Sequence, residues 1–448
     1  MTMTPTTRAS ACAIPGTPLA QASAGLDACV HCGFCLQACP TYVNLEDEND
    51  SPRGRLVLMR RMLQGEIALD DADAAQHIDR CLGCRACETA CPSGVPYGEL
   101  LEATRATMVP VRGLPVVARL ILAVFQRTTL LHLTLGAARA FRATRLPRLL
   151  AKVLPPRLSF PMAMLASTRP EGLNSKVPSP QSPVPPRYQS PNSQLQSPSS
   201  IGSPAVPVSM LSGCVMHGLF GHVNDATTRA LAHNGYRVVP TTGQHCCGAL
   251  HAHAGDLAGA RALAKRNIVA FEATGDAAIA VNSAGCGAML KQYGHLLHDE
   301  PAWADRAQAV AARTRDISEL LAARGPLPGA PLAMRVTHDP PCHQMHAQRV
   351  VQPPRAVLAA IPGLDLVPLE DADQCCGSAG IYNLIEPDTS DAVLAPKLAR
   401  IAETRANIVA TGNPGCMMQI GAGLLRSGSS ARVMHPVELL DASYRAAQ

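Results

Sequence analysis

The chain has 448 residues, of which 47% are apolar, 16% charged and 3% aromatic, and its formal net charge is +5. This length exceeds one ordinary domain and predicts several, with enough apolar residues to build cores. Lysine and arginine form no long run and no aromatic-rich basic stripe, which argues against a nucleic-acid partner. The N-terminus lacks the apolar segment of a secretory signal, so we expect a cytoplasmic protein.

The first region is a loose tail over residues 1–25, and a cysteine-rich, mostly helical module follows over 26–110. Residues 111–166 then form an apolar helical connector. Arg119, Arg127 and Arg139 interrupt that connector, so no uncharged run reaches the roughly 18 residues of a transmembrane helix. We expect the connector to pack on the protein's own core. The alternative is an amphipathic helix that touches a partner or lies peripheral to the inner membrane.

Residues 167–205 are rich in Ser, Pro and Gln and nearly free of large apolar residues. Such a segment cannot bury enough surface to offset the entropy of ordering, so we predict a disordered linker. The chain then becomes α/β-like and repeats, with one unit over residues 206–330 and a second over 331–448. In each unit, short β-rich runs end in cysteine and alternate with Ala-rich helical runs, which predicts parallel sheet.

The 17 cysteines fall in patterned groups, and without export such groups indicate metal ligands or redox thiols rather than a disulfide framework. Two runs have the pattern C-x2-C-x2-C-x3-C-P, which is typical of ferredoxins that bind two iron–sulfur clusters. Structural zinc sites fit poorly, because they use separated cysteine pairs. The two runs predict two [4Fe-4S] clusters.

In two-cluster ferredoxins the fourth cysteine of each run ligates the other cluster. We therefore assign Cys29, Cys32, Cys35 and Cys91 to the first cluster. The second cluster receives Cys81, Cys84, Cys87 and Cys39.

The spacer between the two runs contains a predicted helix, which Ser51 caps and Pro52 begins. This makes the module larger than a compact bacterial ferredoxin. The helix also carries arginines that either offset cluster charge, meet a partner or form a solvated basic face. These arginines are Arg53, Arg55, Arg60 and Arg61.

Each repeated unit carries four further cysteines, two of them adjacent and followed by glycine, and we call these units CCG domains. The first set is Cys214, Cys246, Cys247 and Cys286, and the second is Cys342, Cys375, Cys376 and Cys416. The cysteines follow the strands, and ligands of open parallel sheets bind beyond the carboxyl ends of the strands, so each unit should gather its own thiols.

Four gathered thiols could hold a further iron–sulfur cluster or zinc, act as a redox dithiol, or be inert. Cys12 remains outside the pattern as a free thiol. Nearby histidines are candidate ligands or proton donors, although an ordinary role suits each one better. They are His217, His245, His251, His253, His338, His343 and His346.

The stretches HCGFCLQACPTY, SPRGR, DRCLGCRACETACPSGVPYG, QHCCGALHAHAG, NSAGCGAML and DQCCGSAGIYN resemble the iron–sulfur subunit of bacterial glycolate oxidase. The likeness covers nearly the whole chain except the linker. It implies a multidomain α and α/β protein, in which an N-terminal α-helical two-cluster module precedes two repeated α/β CCG domains. It also implies partner subunits that carry FAD and oxidise glycolate to glyoxylate, and a quinone-type acceptor in the membrane. No catalytic residue of this chain is expected.

The CCG units are shared with subunits of heterodisulfide reductase, lactate utilisation and anaerobic glycerol-3-phosphate dehydrogenase, so these partners remain alternatives. In heterodisulfide reductases the last element of each unit is C-x-x-C. Here it is CGAM at Cys286 and CMMQ at Cys416, so a fifth thiol is missing from both units. This departure counts against a five-ligand cluster and against disulfide-cleaving activity. The sequence also shows no convincing flavin or nicotinamide fingerprint.

Overall fold

The computed structural model describes residues 12–170 and 205–448. Most of the predicted linker, residues 171–204, and the first part of the predicted tail, residues 1–11, lie outside the described residues. The described chain is a helical N-terminal module, a helical connector and two α/β units, so the predicted fold class is confirmed.

Seven helices and one 3₁₀ turn build the N-terminal module around a core that includes Leu19, Met59, Ile78 and Leu100. The predicted cap forms, since Ser51 Oγ accepts a hydrogen bond from the Gly54 backbone N–H at 2.9 Å. The helices are α1 (Pro18–Gln21), α2 (Ala24–Asp27), α3 (Pro40–Leu45), α4 (Pro52–Leu63), α5 (Ala72–Asp79), α6 (Ala86–Ala90) and α7 (Tyr97–Arg112).

The predicted tail over residues 1–25 has to be shortened, because residues 12–25 pack against the module. Leu19 is fully buried, and its backbone N–H donates to Thr107 Oγ1 at 3.0 Å. The Ala13 N–H donates to the Leu63 carbonyl at 2.7 Å. The sequence argument failed here because a short helical turn with a single large apolar residue carries no periodic pattern.

Four helices form the connector and pack against one another in chain order. Among the described residues no single helix is both long and apolar enough to cross a membrane. Only the pair 97–112 and 116–126, bent by 112°, passes a combined test of length and composition. The connector helices are α8 (Val116–Gln126), α9 (Thr128–Ala143), α10 (Leu146–Val153) and α11 (Pro156–Ser167).

Each CCG unit contains a four-stranded, fully parallel sheet, and the strand order is the same in both, β2-β1-β3-β4 and β6-β5-β7-β8. This identity confirms the internal repeat. The strands are β1 (Val206–Met210), β2 (Tyr236–Val239), β3 (Ala278–Val281), β4 (Thr314–Asp316), β5 (Arg335–His338), β6 (Asp365–Val367), β7 (Ile408–Ala410) and β8 (Arg432–Met434).

Helices alternate with these strands. The first unit has α12 (Val215–Leu219), α13 (Gly221–His233), α14 (Ala249–His253), α15 (Leu257–Glu272), α16 (Ala284–Lys291), α17 (Tyr293–Leu296), α18 (Ala304–Arg313) and α19 (Ile317–Ala323). The second has α20 (Gln352–Ala359), α21 (Tyr382–Ile385), α22 (Pro387–Thr404), α23 (Pro414–Arg426) and α24 (Pro436–Ala446).

The two CCG units are not separate bodies, because one hydrophobic core runs through both. Val208 and Leu231 of the first unit belong to the same buried cluster as Val336 and Leu439 of the second. Helix α13 packs on α24, and Arg229 pairs with Asp441 through two bonds of 2.8 Å.

Candidate metal centres

The first cysteine run forms an exposed loop before α3. Cys32 is exposed, Cys29 and Cys35 are half-buried, and Gly33 takes a φ of +85° that favours glycine. Cys91, which lies far along the chain at the end of α6, lines the same small cavity as these three thiols. Cys87 also reaches this cavity. The structure therefore brings together the four cysteines assigned to the first cluster.

The second run is buried rather than exposed. Cys81, Cys84 and Cys87 are each less than 9% exposed, and Cys39 is 6% exposed. Burial raises the pKa of Cys87, and the nearby thiols of Cys84, Cys81 and Cys39 raise it further. Cys39 thus lies near thiols of the second run. It also lies near the first run, since burial raises the pKa of Cys35 to about 11 and the nearby thiols of Cys29 and Cys39 raise it further. The assignment of Cys39 to the second cluster stays a prediction. A buried group of mutually repelling thiolates is a donor set that an iron–sulfur core, with its cationic irons, would fit.

Arg55 is a fully buried guanidinium beside this second group. It donates to Thr41 Oγ1 at 3.1 Å and to Asp50 at 3.1 Å, and its Nη1 lies 4.0 Å from Cys39 Sγ. Although burial lowers the pKa of Arg55, the charges of Cys81, Tyr97, Cys39 and Asp50 raise it overall. The other arginines of the spacer helix, Arg53, Arg60 and Arg61, form ion pairs near the surface.

The carboxylate of Asp50 contacts two guanidinium groups and one imidazole ring. Besides Arg55, it accepts from Arg80 Nη1 at 3.1 Å and lies 3.1 Å from His77 Nδ1. Asp47, Asp50 and His77 lie close enough to share one cation. Two guanidinium groups already neutralise Asp50, so this group works as a structural ion-pair network.

In the first CCG unit, four thiols from three strand ends meet. Cys214 Sγ lies 3.7 Å from Cys246 Sγ, and the hydrogen bond between them raises the pKa of Cys214 and lowers that of Cys246. The bond with Cys246 likewise raises the pKa of Cys247, and Cys286 adds to this rise.

The loop that carries the adjacent pair in the first unit is held by side chains that the sequence analysis did not single out. Asn267 accepts from the His245 N–H at 2.8 Å and donates to the Cys246 carbonyl at 2.9 Å. Tyr293 Oη donates to the Cys247 carbonyl at 2.8 Å. Both residues are fully buried, and only their helical positions could be read from the sequence.

The second CCG unit repeats this arrangement. Cys342 Sγ lies 4.0 Å from Cys375 Sγ, and their hydrogen bond raises the pKa of Cys342 and lowers that of Cys375. Bonds to Cys375 and then Cys416 raise the pKa of Cys376. The Gly377 N–H points at Cys375 Sγ at 3.5 Å. Backbone donors of this kind stabilise thiolate and cluster sulfur.

The position of the missing fifth thiol is occupied in both units by a buried residue. Met289 stands there in the first unit and packs in the apolar core. Gln419 stands there in the second unit, where it donates to Ser390 Oγ and accepts from Asn383, both at 2.8 Å. Since both the nitrogen and the oxygen of the Gln419 side-chain amide are engaged, each unit presents four thiols rather than five ligands.

The candidate histidines take different positions. His343 Nδ1 lies 3.6 Å from Cys342 Sγ, and burial lowers the pKa of His343 to about 3, so the ring is neutral. His253 bonds Glu102 at 2.8 Å, His346 bonds Thr89 at 3.0 Å, and His245 bonds Thr128 at 2.8 Å. His251 and His338 are buried, and the centre of the His217 ring lies 6.0 Å from that of His132, with the two rings tilted by 50°.

All eight CCG thiols, together with Cys81, line one central cavity of about 450 Å³. Arg105 joins its walls, since it donates to the Cys81 carbonyl at 2.7 Å and to the His253 carbonyl at 2.8 Å. Cys84 packs against Cys375 in a common apolar cluster. The second cysteine run therefore adjoins the second CCG unit directly, a juxtaposition that the sequence analysis did not foresee.

The cysteine groups match known families. The description "4Fe-4S dicluster domain" fits residues 25–95, and "Cysteine-rich domain" fits residues 208–291 and 336–421. The chain is 36% identical to the probable glycolate oxidase iron–sulfur subunit of Bacillus subtilis strain 168, over 92% of each chain. It is 34% identical to the glycolate oxidase iron–sulfur subunit of Escherichia coli K12, over 94% of this chain and 95% of that one.

The chain belongs to the glycolate oxidase iron–sulfur subunit family. A further relative, lactate utilization protein A of Geobacillus kaustophilus, is 32% identical over 52% of this chain and 98% of its own length. The names of the two glycolate oxidase relatives describe an iron–sulfur subunit of an oxidoreductase, and the dicluster match agrees with iron–sulfur binding by this chain.

Proposed function

We propose that this chain is the electron-transfer subunit of a flavin-dependent glycolate oxidase or dehydrogenase. A partner subunit that carries FAD would oxidise glycolate to glyoxylate, and this chain would pass the electrons toward a quinone-type acceptor. The names of the two relatives that match nearly the whole chain support this function. We place the chain on the cytoplasmic side, peripheral to the inner membrane.

The observation that carries the proposal is a series of neighbouring thiol groups that runs from the surface into the molecule. It begins at exposed Cys32, continues to buried Cys84 and its neighbour Cys375, and reaches Cys214 across the central cavity. When bound, iron–sulfur clusters supply one-electron redox chemistry at potentials that the surroundings tune. An enzyme that only binds and converts a substrate would not need metal-ligating thiols arranged in series from the surface to the interior.

We assign the eight cysteines of the N-terminal module as ligands of two [4Fe-4S] clusters. Cys29, Cys32, Cys35 and Cys91 would hold one, and Cys81, Cys84, Cys87 and Cys39 the other. The burial of the second group excludes water, whereas the exposure of the first leaves it open to a redox partner. Each CCG unit would hold a further cluster or a zinc ion on its four thiols.

The first test is the iron, acid-labile sulfide and zinc content of the full chain purified anaerobically. About eight irons, the sum of two four-iron clusters, would support the N-terminal assignment and leave the CCG units cluster-free. About twelve or more would add at least one CCG site. Zinc with little iron would overturn the electron-transfer function.

The second test identifies the partner's substrate. The anaerobic complex of this chain with its flavin-bearing partner receives glycolate or lactate, and cluster reduction is followed by EPR and by loss of visible absorption. We expect glycolate to reduce the clusters. Lactate is the second candidate, because lactate utilization proteins match half of this chain. Faster reduction by lactate would overturn the choice of glycolate and leave electron transfer intact.

A further inference from the structure

The outer side of helices α8, α9 and α10, which we call the connector face, exposes many large apolar side chains. Ten of the sixteen large apolar side chains that are strongly exposed in the described part of the chain lie between residues 111 and 158. Leu120 is 64% exposed, Leu133 67% and Val153 66%. Such concentration on one stretch of surface marks an interaction site rather than scattered exposure.

Helix geometry puts several of these side chains on common faces. In α10, Leu146, Leu149 and Val153 are spaced by three and four residues, so they lie on one side of the helix. In α8, Val116 and Leu120 are four residues apart and are likewise both exposed. Helix α8 packs on α9, and α9 packs on α10, so the three helices form one connected group.

The charges of the same region are all of one sign. Residues 103–170 contain no Asp or Glu but carry eleven Arg and Lys residues. Six of these lie on α8–α10 or their junctions, are exposed and form no ion pair with any described residue. They are Arg119, Arg127, Arg139, Arg145, Arg148 and Lys152.

We propose that the connector face rests on the surface of an anionic phospholipid membrane. An interfacial helix combines an apolar side that enters the headgroup boundary with Lys and Arg that meet lipid phosphates. Each basic residue near such a surface adds to the attraction. Unpaired cations, exposed leucines and valines, and the lack of carboxylates fit this occupant. An acidic protein surface is the other occupant that such cations would suit, and the test below distinguishes the two.

The position of α8 gives this contact a consequence for the thiol sites. One side of α8 carries Leu120 at the surface, while Ala118, Ile121 and Phe125 line the central cavity. A single helix therefore separates the CCG thiols from the proposed membrane. The inference extends the proposed function, since it names the side from which an acceptor dissolved in the bilayer would approach.

The test is flotation of the full, cluster-loaded chain with phosphatidylcholine vesicles that contain or lack phosphatidylglycerol. We expect binding to the anionic vesicles only, weakened by salt. The triple variant Arg145→Gln/Arg148→Gln/Lys152→Gln should lose at least about tenfold in vesicle affinity. The variant Leu149→Glu/Val153→Glu should lose binding as well, because it places charge on the apolar side.

The control variant Arg266→Gln/Val269→Glu changes an exposed arginine and an exposed valine on α15, which is not part of the connector, and should bind like the unmodified chain. Iron content verifies that each variant folds. The proposal is overturned if anionic vesicles do not bind, or if the connector variants bind as well as the control. Loss of the partner complex instead of vesicle binding would make this face a protein interface. Reduction of the clusters by glycolate is measured in a separate experiment. A chain that fails to bind vesicles could therefore still pass the test of the proposed function.

Discussion

Cys91 belongs to the second run by sequence and to the first cavity by position. Its side chain lines the space around Cys29, Cys32 and Cys35, whereas Cys39 lies among the thiols of the second run. The predicted exchange of the fourth cysteine between the two runs follows from spacing. A residue four positions after the third ligand points away from the loop that the first three ligands form. The sequence pattern supports this assignment, and it stays a prediction, because Cys87 also lines the first cavity and Cys39 also lies near Cys35.

Replacing Cys91 should therefore affect the same cluster as replacing Cys32. We expect Cys91→Ser and Cys32→Ser each to remove one and the same EPR signal of the reduced protein and about four irons. Cys12→Ser is the matched control, since Cys12 is exposed and outside both runs. Loss of different signals in the two variants would contradict the cross-ligation.

Arg55 shows what the sequence could not reveal at this scale. Ser51 and Pro52 predicted a helix start, but the four arginines of this spacer helix looked alike. Only the fold shows that Arg55 is buried against Asp50 while Arg60 pairs with Asp27 at the surface. Which arginine is buried depends on how α4 packs on distant elements, and no local pattern records that.

The substitution Arg55→Met should be strongly destabilising. It leaves Asp50 buried with one fewer cation, and breaking a buried ion pair from one side costs about 3 kcal/mol or more. The matched variant Arg60→Met breaks an exposed pair and should change the free energy of unfolding by about 1 kcal/mol or less. Anaerobic urea unfolding of both proteins measures the difference, and equal losses would refute the structural role of Arg55.

At the scale of elements, the sharp turn after each adjacent cysteine pair depends on glycine. Gly377 has a φ of +83°, and an added Cβ would lie 2.6 Å from the Ser390 carbonyl oxygen. Gly275 has a φ of +61° but open space around it. The positive φ disfavours a side chain at both positions. Only at Gly377 would the added Cβ also collide with a neighbouring backbone atom.

We expect Gly377→Ala to destabilise the protein more than Gly275→Ala, for which about 1 kcal/mol of backbone strain applies. Gly377→Ala should also displace the Cys375–Cys376 loop and lower the metal content of the second CCG unit. Urea unfolding and metal analysis on the two variants provide the comparison. Normal metal content in Gly377→Ala would show that the loop tolerates the change.

The start of α24 makes stability depend on pH. His435 Nδ1 accepts from the Val437 N–H at 3.1 Å, and Nε2 donates to the Asn282 carbonyl at 3.0 Å, which joins the two CCG units. Burial lowers the pKa of His435 to about 4. Protonation would destroy the acceptor that caps the helix.

The pKa of His435 lies below the ordinary value of 6.5. Between the two pKa values the unfolded chain therefore binds more protons than the folded chain. As a result, the free energy of unfolding decreases as the pH falls from 6.5 toward 4. From about pH 7 to about pH 5 the loss from His435 should be roughly 2 kcal/mol. His435→Asn keeps a capping oxygen and should reduce this loss. His298→Asn, at an exposed position, should not, and an unchanged pH dependence in His435→Asn would refute the assignment.

The element pattern itself was largely predictable. Six strands were expected because each precedes a cysteine motif, and all six are present. The strands β4 and β8 were not identified, since no cysteine motif follows them directly. They pair at the edge of each sheet beside β3 and β7, so their partners rather than their own residues define them.

At the scale of the whole molecule, the sequence predicted two CCG units but not their fusion. The contact between α13 and α24 and the shared core of Val208, Leu231, Val336 and Leu439 depend on side chains that lie more than a hundred residues apart. Apolar periodicity shows that a face is buried, but not against which partner. For the same reason the sequence did not predict the central cavity, because its walls come from the N-terminal module, the connector and the CCG units.

The shared core predicts that the two units unfold together. Calorimetry of the full chain should show one transition for both units, and limited proteolysis should not release residues 331–448 as a folded fragment. Substitution of Leu439 by Ala, which costs about 2 to 5 kcal/mol in a packed core, should lower the stability of both units equally. Two resolved transitions, only one of them shifted, would show that the units are independent.

The burial of Cys84 against Cys375 sets an order for the maturation of the protein. Once the C-terminal units close over the second cysteine run, a scaffold that delivers iron and sulfide has no direct access to those thiols. Delivery of the cluster that we propose on Cys81, Cys84 and Cys87 should therefore precede this closure, whereas the cluster that we propose at the surface loop of Cys32 could be loaded or repaired afterwards. A cell that runs short of iron would accumulate chains whose inner site can be filled only after the molecule has been reopened.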